Sequence, residues 1–373
     1  MTPAVRAVAA VDTGAVERNC ANLASGLSPG TELCAVVKAD AYGHGAAECA
    51  AAAGRGGAGM LAVATGAEAH ELRAGGIELP ILTMGALTDD ELDLALVARS
   101  EVAVWGRHFL EAVASRGRAL GITPRVHVKY DTGMGRLGER DPRVVSELIG
   151  LAADSDDVEL AALWTHFATA DEPGSGYFEQ QLGRFMDLAE SIRGNGLESL
   201  RLHAANSAAT LRDPACHLDM VRCGVAVYGL DPFQEDPTAR GLEPAMSVRS
   251  YLAAVKRFEH GASAGYGQSW RAPAETCVGV VPVGYGDGVR RALTNNAQVL
   301  VGGHRYPVVG TISMDNLTID LGLDPDARIG DEVTLIGAQG SERILCEEVA
   351  RRLATINYEV VCGISPRVPR EHS

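Results

Sequence analysis

Hydrophobic and polar positions follow an alternating pattern over the first 230 residues of the chain. Short apolar runs rich in β-branched residues are followed by longer segments in which Ala, Leu and Glu recur at helical spacing, which predicts alternating strands and helices. The predicted strands cover residues 34–38, 60–65, 80–84, 101–105, 125–130, 160–166, 200–204 and 220–228. The predicted helices cover residues 13–25, 45–54, 67–74, 89–99, 107–116, 141–153 and 177–193.

Eight strands with intervening helices over about 230 residues predict a (β/α)8 TIM-like barrel in residues 1–240. Only the connection after residues 200–204 lacks a full helix. A doubly wound open sheet is the competing architecture, and it would need a phosphate-binding fingerprint after a strand. The segment GRGGAG at residues 54–59 precedes a strand instead, so it is better interpreted as the end of a helix.

The pattern changes after residues 230–244, LDPFQEDPTARGLEP, where Pro, Gly and charged residues cluster as in a linker. Beyond this segment the apolar runs alternate with polar residues, VGGH marks a hairpin turn, and one helix is predicted over residues 344–354. We therefore predict that residues 241–373 form a mostly β C-terminal domain. The fold class is α/β, with the barrel first and the β-rich domain second.

Charge and composition restrict the partners of the protein. Its 33 basic and 48 acidic residues give a net charge of −15, which disfavours nucleic acid and anionic lipid. No apolar segment approaches membrane-spanning length, and the N-terminus does not have the pattern of a secretory signal. The eight cysteines include no C-x-x-C pair and suit buried thiols in a reducing compartment. We expect a cytoplasmic location and no metal site.

Polar and charged residues, with one glycine, lie at or after the carboxyl ends of five predicted strands, and the last two lie on the eighth strand or at its edge. They are Lys38 and Tyr42, then Lys129, Asp131 and Arg136, then His166, then Asn206 and Ser207, and finally Arg222 and Gly224. Barrel enzymes place their chemistry on the loops after these ends, so we expect these side chains to converge on one site.

Each of these residues also has an ordinary structural explanation. Lys38 follows an apolar run and is either a surface lysine whose stem covers apolar atoms or an amine made nucleophilic by burial. His166 taken alone is better explained as a core histidine. Ser207 can begin a helix and also help to bind an anion. Arg222 lies in an apolar strand, where a guanidinium needs an acceptor or a cavity.

With these features in view, the chain resembles the alanine racemases, pyridoxal-phosphate enzymes built from a barrel and a β domain. The resemblance runs from end to end and rests on AVVKADAYGHG, VKYDTGMGRLG, WTHFATAD, HAANSAA, VRCGVAVYG, VPVGYGDGVRR, TISMDN and ATINYEVVCGISPRVPR. Two positions depart from the pattern of the family. Ala354 stands where the family usually has Gly, and Ser313 stands where other members have Cys.

The resemblance implies a role for each matching residue. Lys38 is similar to the lysine that binds pyridoxal phosphate covalently and acts as one catalytic base. Tyr266, between two glycines in AGYGQSW, resembles the second base, which in the family enters the site from the other subunit of a homodimer. The other cofactor-binding residues implied are Tyr42, His166, Ser207, Arg222, Gly224, Val225 and Tyr358. Arg136 and the backbone of Met314 match the substrate-carboxylate contacts, and Lys129 matches a lysine that is carbamylated in many members.

The implied activity is interconversion of L-alanine and D-alanine, which supplies D-alanine for peptidoglycan. Racemisation removes a proton from one face of Cα and delivers one to the other, so two bases on opposite faces suit it. Three alternatives compete with this activity. Arg222 and Tyr266 argue against a decarboxylase, and the residues beyond the linker argue against a carrier. A racemase for another small amino acid, such as serine, would carry the same motifs. A decarboxylase would be expected to use an acidic partner for the pyridine nitrogen, and a non-catalytic pyridoxal-phosphate carrier would be a barrel alone.

Overall fold

The computed structural model describes residues 5–373 and divides them into two compact units. One unit holds residues 16–41 and 45–227, and its eight parallel strands form a closed barrel. The barrel strands, first to eighth, are Glu32–Val36, Met60–Val63, Ile81–Thr83, Glu101–Val104, Arg125–Lys129, Glu159–Trp164, Arg201–His203 and Met220–Cys223. The predicted TIM-like barrel is therefore confirmed.

Helices alternate with the barrel strands at the predicted places. They are Thr13–Ser25, Ala46–Arg55, Gly66–Ala74, Asp89–Val97, Arg107–Leu120, Pro142–Ala153, Tyr177–Arg193 and the short Ser207–Arg212. Capping boxes explain two of the helix starts, because Thr65 pairs with Glu68 and Thr88 with Glu91 to satisfy the first backbone N–H groups. The eighth strand is shorter than predicted, since a 3-10 turn at Val225–Tyr228 replaces its second half.

The other unit contains residues 5–15, 42–44 and 228–373 and is mostly β, as the sequence predicts. Its largest sheet runs in the order His304–Pro307, Gln298–Val301, Glu332–Gln339, Met246–Tyr251, Val8–Val11 and Arg370–His372, with Glu342–Ile344 paired to Glu332–Gln339. Its other strands are Ala254–Phe258, Thr276–Val281 and Leu317–Gly322 in one sheet, and Ser263–Ala264 and Trp270–Arg271 in another. Its helices are Cys346–Leu353 and Asn357–Cys362, the second of which the sequence pattern did not indicate.

The N-terminal strand belongs to this β-rich unit and not to the barrel. Val8–Val11 pairs antiparallel with Met246–Tyr251 and parallel with Arg370–His372. The backbone N–H of Thr13 donates to the carbonyl of Ser373 at 3.0 Å. The β-rich unit therefore includes a strand that precedes the barrel in the sequence. A single domain boundary at residue 240 does not include this strand.

Ala354, one of the two departures from the family pattern, occupies a strained backbone position. It ends the helix Cys346–Leu353 in the left-handed conformation, with φ 53° and ψ 44°. A Cβ in this conformation costs about 1–2 kcal/mol, which glycine avoids.

We expect Ala354→Gly to raise the free energy of unfolding by roughly 0.5–1 kcal/mol, because relief of the strain outweighs the greater entropy of glycine in the unfolded chain. The urea midpoint measures this change. Ala350→Gly, in the interior of the same helix, is the matched control and should destabilise the protein instead. Equal effects of the two substitutions would show that strain at position 354 is not the cause.

Candidate active site

Lys38 lies shortly after the first barrel strand and directly before a rare backbone turn. The strand ends at Val36, so the predicted strand over 34–38 is too long by two residues. The next residues, Ala39 to Tyr42, have φ between 52° and 56°, which makes one left-handed helical turn from non-glycine residues. Such a run is costly for L-residues and persists only where surrounding contacts hold it.

Glu68 supplies one of the contacts that hold this turn. Its Oε1 accepts a hydrogen bond from the backbone N–H of Ala39 at 2.7 Å, directly after Lys38. Its Oε2 accepts from the N–H groups of Ala64 and Thr65 at 2.7 and 3.2 Å. One carboxylate therefore ties the start of the Lys38 turn to the end of the second barrel strand.

Four cations of the barrel unit interact electrostatically. Lys129 is buried, and burial together with the charges of Arg222, Arg136 and Lys38 lowers the pKa of its amine to about 7, against a smaller opposite effect of Asp131. Burial of the His166 ring, and then the charges of these four cations, hold the pKa of His166 well below its usual value. His166 is therefore neutral at neutral pH, and the region is strongly positive. Such a concentration of positive charge suits an anionic ligand.

Trp164, at the end of the sixth strand, lies against two of these cations. The Lys129 Nζ is 4.1 Å and the Arg222 Cζ 4.8 Å from its ring centroid. The ring of His203 stacks on Trp164, with the planes 10° apart. Cation–π attraction to the Trp164 ring offsets part of the free-energy cost of burying these two positive charges close to each other.

Arg222 lies in the eighth strand and is 2% exposed. Its Nη1 contacts His203 Nδ1 at 2.7 Å, and its Nη2 donates to the carbonyls of Thr165 and Ala204 at 2.8 and 3.0 Å. His166 Nδ1 lies 3.3 Å from Nη2. Burial lowers the pKa of Arg222 to about 10, so the group remains charged at neutral pH with only neutral hydrogen-bond partners among the described residues.

Ser207 begins the short helix after the seventh strand and lies beside the 3-10 turn that follows the eighth. Its Oγ accepts hydrogen bonds from the N–H groups of Gly224 and Ala226 at 3.0 and 3.4 Å. Asn206 caps the helix by accepting from the N–H of Ala209. The structure thus brings the Ser207 hydroxyl next to the backbone of Gly224 and Val225 in the barrel unit.

The other predicted site residues belong to the β-rich unit. The rings of Tyr42 and Tyr358 have centroids 6.0 Å apart. Tyr266 is 74% exposed, its carbonyl accepts from Thr311 Oγ1, and the glycines on both sides of it have positive φ. Met314 is 51% exposed. An exposed tyrosine on a turn whose backbone is hydrogen-bonded is available to a second molecule.

Sequence reasoning missed three polar residues of the barrel unit that connect to Arg222 or to each other. Glu101, His127 and His203 lie within the fourth, fifth and seventh strands and are joined by hydrogen bonds. The available signal was a histidine at an apolar position of the segments RVHVK and RLH.

No helix among residues 5–373 has the length and apolar character needed to cross a membrane.

The architecture is that of a class of enzymes with an α/β barrel joined to a β domain, and comparisons specify the family. Sequence models described as the N-terminal and C-terminal domains of alanine racemase match residues 11–232 and 245–372. The alanine racemase of Desulfovibrio desulfuricans is 40% identical over 97% of this chain and 96% of its own length. That of Symbiobacterium thermophilum is 42% identical over 97% of this chain and 96% of its own.

A solved structure agrees with the sequence comparisons. The crystal structure of alanine racemase from Streptomyces lavendulae has a TM-score of 0.94 and 38% identity, and covers 100% of this chain and 98% of its own. The chain belongs to the alanine racemase family, which consists of isomerases. The alanine racemase expected from the motifs is thereby confirmed.

Proposed function

We propose that the protein interconverts L-alanine and D-alanine with pyridoxal phosphate, using Lys38 and Tyr266 as the two bases. The observation that carries this assignment is the group of cations in the barrel unit, Lys38, Lys129, Arg136 and Arg222, in a member of this family. The substrate contributes a carboxylate and the cofactor a phosphate. Both anions suit this positive environment.

The residues present fit pyridoxal phosphate by their chemistry. Lys38 offers a primary amine for the cofactor aldehyde, and Tyr42 and Tyr358 offer phenolic hydroxyls. Ser207 offers the O–H of a hydroxyl whose oxygen already accepts from the N–H of Gly224, and it lies beside the backbone of Val225; hydroxyl and backbone donors of this kind hold a phosphate. These residues would hold the group, which when bound supplies an electron-withdrawing system that makes the substrate Cα–H more acidic.

Two side chains then move the proton. The Lys38 Nζ accepts or returns a proton on one face of Cα, and the Tyr266 phenol of a second subunit does so on the other face. The exposure of Tyr266 in the single chain supports this arrangement, because a base that serves another subunit must be accessible on its own. We therefore propose a homodimer with shared active sites, in which Arg136 and the Met314 backbone hold the substrate carboxylate.

Arg222 restricts the reaction to racemisation. A carboxylate at this position would keep the pyridine nitrogen of a bound cofactor protonated, whereas the guanidinium of Arg222, which stays charged, would donate a hydrogen bond and leave that nitrogen unprotonated. The lower electron demand disfavours decarboxylation and transamination.

We propose a cytoplasmic location and a role in supplying D-alanine for peptidoglycan. The eight free cysteines suit a reducing compartment, and seven of these thiols are buried or half-buried.

We also propose that Lys129 is carbamylated. Its neutral amine attacks CO2, the N–C bond forms, one proton is released, and the resulting carbamate is negative. Because burial and neighbouring cations lower the pKa of this amine to about 7, the reactive neutral form increases as the pH rises through 7. The carbamate would reduce the repulsion between Lys129 and Arg136.

In 13C-bicarbonate we expect a carbamate carbonyl NMR signal whose intensity increases between pH 6 and pH 8. Lys129→Met should remove the signal, and Lys256→Met, at an exposed position, should leave it unchanged. A signal that persists in Lys129→Met would contradict the assignment.

The proposed function is tested with purified protein, added pyridoxal phosphate and a panel of L-amino acids, with the D-product measured by chiral chromatography. We expect D-alanine to form with the highest kcat/KM. A higher value for L-serine would favour the alternative racemase. Cofactor binding with no D-product from any substrate would favour the non-catalytic carrier.

A further inference from the structure

A chain of hydrogen bonds leads from Arg222 through the barrel to its opposite end. Arg222 Nη1 lies 2.7 Å from His203 Nδ1, and His203 Nε2 lies 2.9 Å from His127 Nδ1. His127 Nε2 lies 2.5 Å from Glu101 Oε2. Glu101 is the first residue of the fourth strand and Arg222 the third of four in the eighth, so the chain runs from the amino-terminal end of the barrel towards the carboxyl-terminal end.

The donors and acceptors of this chain allow only one arrangement of protons. A guanidinium has no acceptor, so His203 Nδ1 must be unprotonated and the proton of the neutral ring lies on Nε2. Burial and then the charge of Arg222 hold the pKa of His203 well below its usual value, which keeps this ring neutral. His203 then donates to His127, so His127 Nδ1 is also unprotonated and its Nε2–H donates to Glu101.

Glu101 is suited to be the final acceptor. Burial raises the pKa of its carboxyl, but the hydrogen bond from His127 and the charge of Arg125 act in the opposite direction, and the pKa is lowered overall. Its Oε1 lies 3.2 Å from Arg125 Nε and its Oε2 faces His127. Among the described residues, this carboxylate is the negative group in which the hydrogen-bond series from Arg222 through His203 and His127 ends.

We propose that Glu101 is a positioning residue that acts on Arg222 from the far end of the barrel. By accepting the last hydrogen bond of the series, its carboxylate stabilises the tautomers in which His127 accepts from His203 and His203 accepts from the guanidinium of Arg222. Without this acceptor, the buried Nε2–H of His127 loses its partner, which costs free energy and favours a His127 ring that turns or moves its proton to Nδ1, where it would oppose the proton on His203 Nε2. His203 would then turn or change tautomer, and Arg222 would lose its shortest hydrogen bond. Hydrogen bonds in such a series also strengthen one another.

The functional consequence rests on the proposed function. If Arg222 holds the pyridine nitrogen, the orientation of its guanidinium affects the rate of the chemical step more strongly than it affects the binding of alanine. Loss of the Glu101 acceptor should therefore lower kcat and leave KM nearly unchanged.

Three variants test the inference. Glu101→Leu removes the acceptor, and Glu101→Gln retains one through its amide oxygen. Glu159→Leu is the matched control, because Glu159 also contacts Arg125 at 3.4 Å but no histidine. Circular dichroism confirms that each variant is folded, and the histidine 15N shifts are recorded on protein without cofactor.

In the wild type we expect both histidines to be neutral with the proton on Nε2. In Glu101→Leu we expect the 15N shifts of both His127 and His203 to move, and kcat to fall about tenfold. Glu101→Gln should retain the wild-type shifts and at least half of kcat, and Glu159→Leu should match the wild type. Unchanged His203 shifts in folded Glu101→Leu, or a Gln variant as impaired as the Leu variant, would overturn the proposal. The NMR result does not depend on activity, so a protein that fails to racemise alanine still tests the hydrogen-bond series.

Discussion

Lys38→Ala should abolish both covalent attachment of pyridoxal phosphate and racemisation in either direction, with kcat/KM reduced by at least about 1000-fold. The proposed role of Lys38 is double, since the same amine holds the cofactor and serves as a base. We expect that Lys129 does not substitute for it, because its amine is held against Trp164.

Composition makes this experiment unusually clear. The chain has three lysines, at positions 38, 129 and 256. Borohydride reduction of the loaded protein followed by peptide mass spectrometry therefore distinguishes three possible attachment sites. We expect the cofactor on Lys38 only, and the control Lys256→Ala should keep both the attachment and the activity. Substantial racemisation by Lys38→Ala, or attachment at another lysine in the wild type, would refute the assignment.

Tyr266→Phe should lower racemisation by about 100- to 10000-fold while the cofactor absorbance stays unchanged. The substitution removes only a hydroxyl from an exposed ring, so the fold should not be affected. In deuterated solvent the variant should exchange the Cα proton of one alanine enantiomer far faster than that of the other, because only the face served by Lys38 still has a base.

Tyr251→Phe, in the strand Met246–Tyr251, is the control and should exchange both enantiomers at the wild-type rates. Equal loss of exchange for the two enantiomers in Tyr266→Phe would argue against separate bases on the two faces. Mixing Tyr266→Phe with Lys38→Ala tests the shared site. If subunits exchange, a mixed dimer carries one site with both wild-type bases, and activity should return to part of the wild-type value.

The barrel was predictable because its signals are periodic and local. Eight apolar runs, six of them followed by a helical pattern, specify strands and helices, and the polar residues at the strand ends predict a site. Arg222 was identifiable because a guanidinium is conspicuous in an apolar strand.

Other features depend on tertiary contacts that no local pattern reports. The left-handed turn of Ala39 to Tyr42 contradicts the preference of every residue in it and is supported by contacts such as the carboxylate of Glu68, 29 positions from Ala39. The strand predicted over 220–228 ends at Cys223, because the apolar segment Val225–Tyr228 forms a 3-10 turn beside Ser207. His127 and His203 are 76 positions apart and have a shared role only once the barrel closes.

The pairing of two strands that lie far apart in the sequence has a consequence for the order of folding. Val8–Val11 pairs with Arg370–His372, so the β-rich unit reaches its full hydrogen bonding only when these distant segments have come together. Until then one edge of Val8–Val11 is open to other chains, and deletion of Arg370–His372 would leave that edge open permanently.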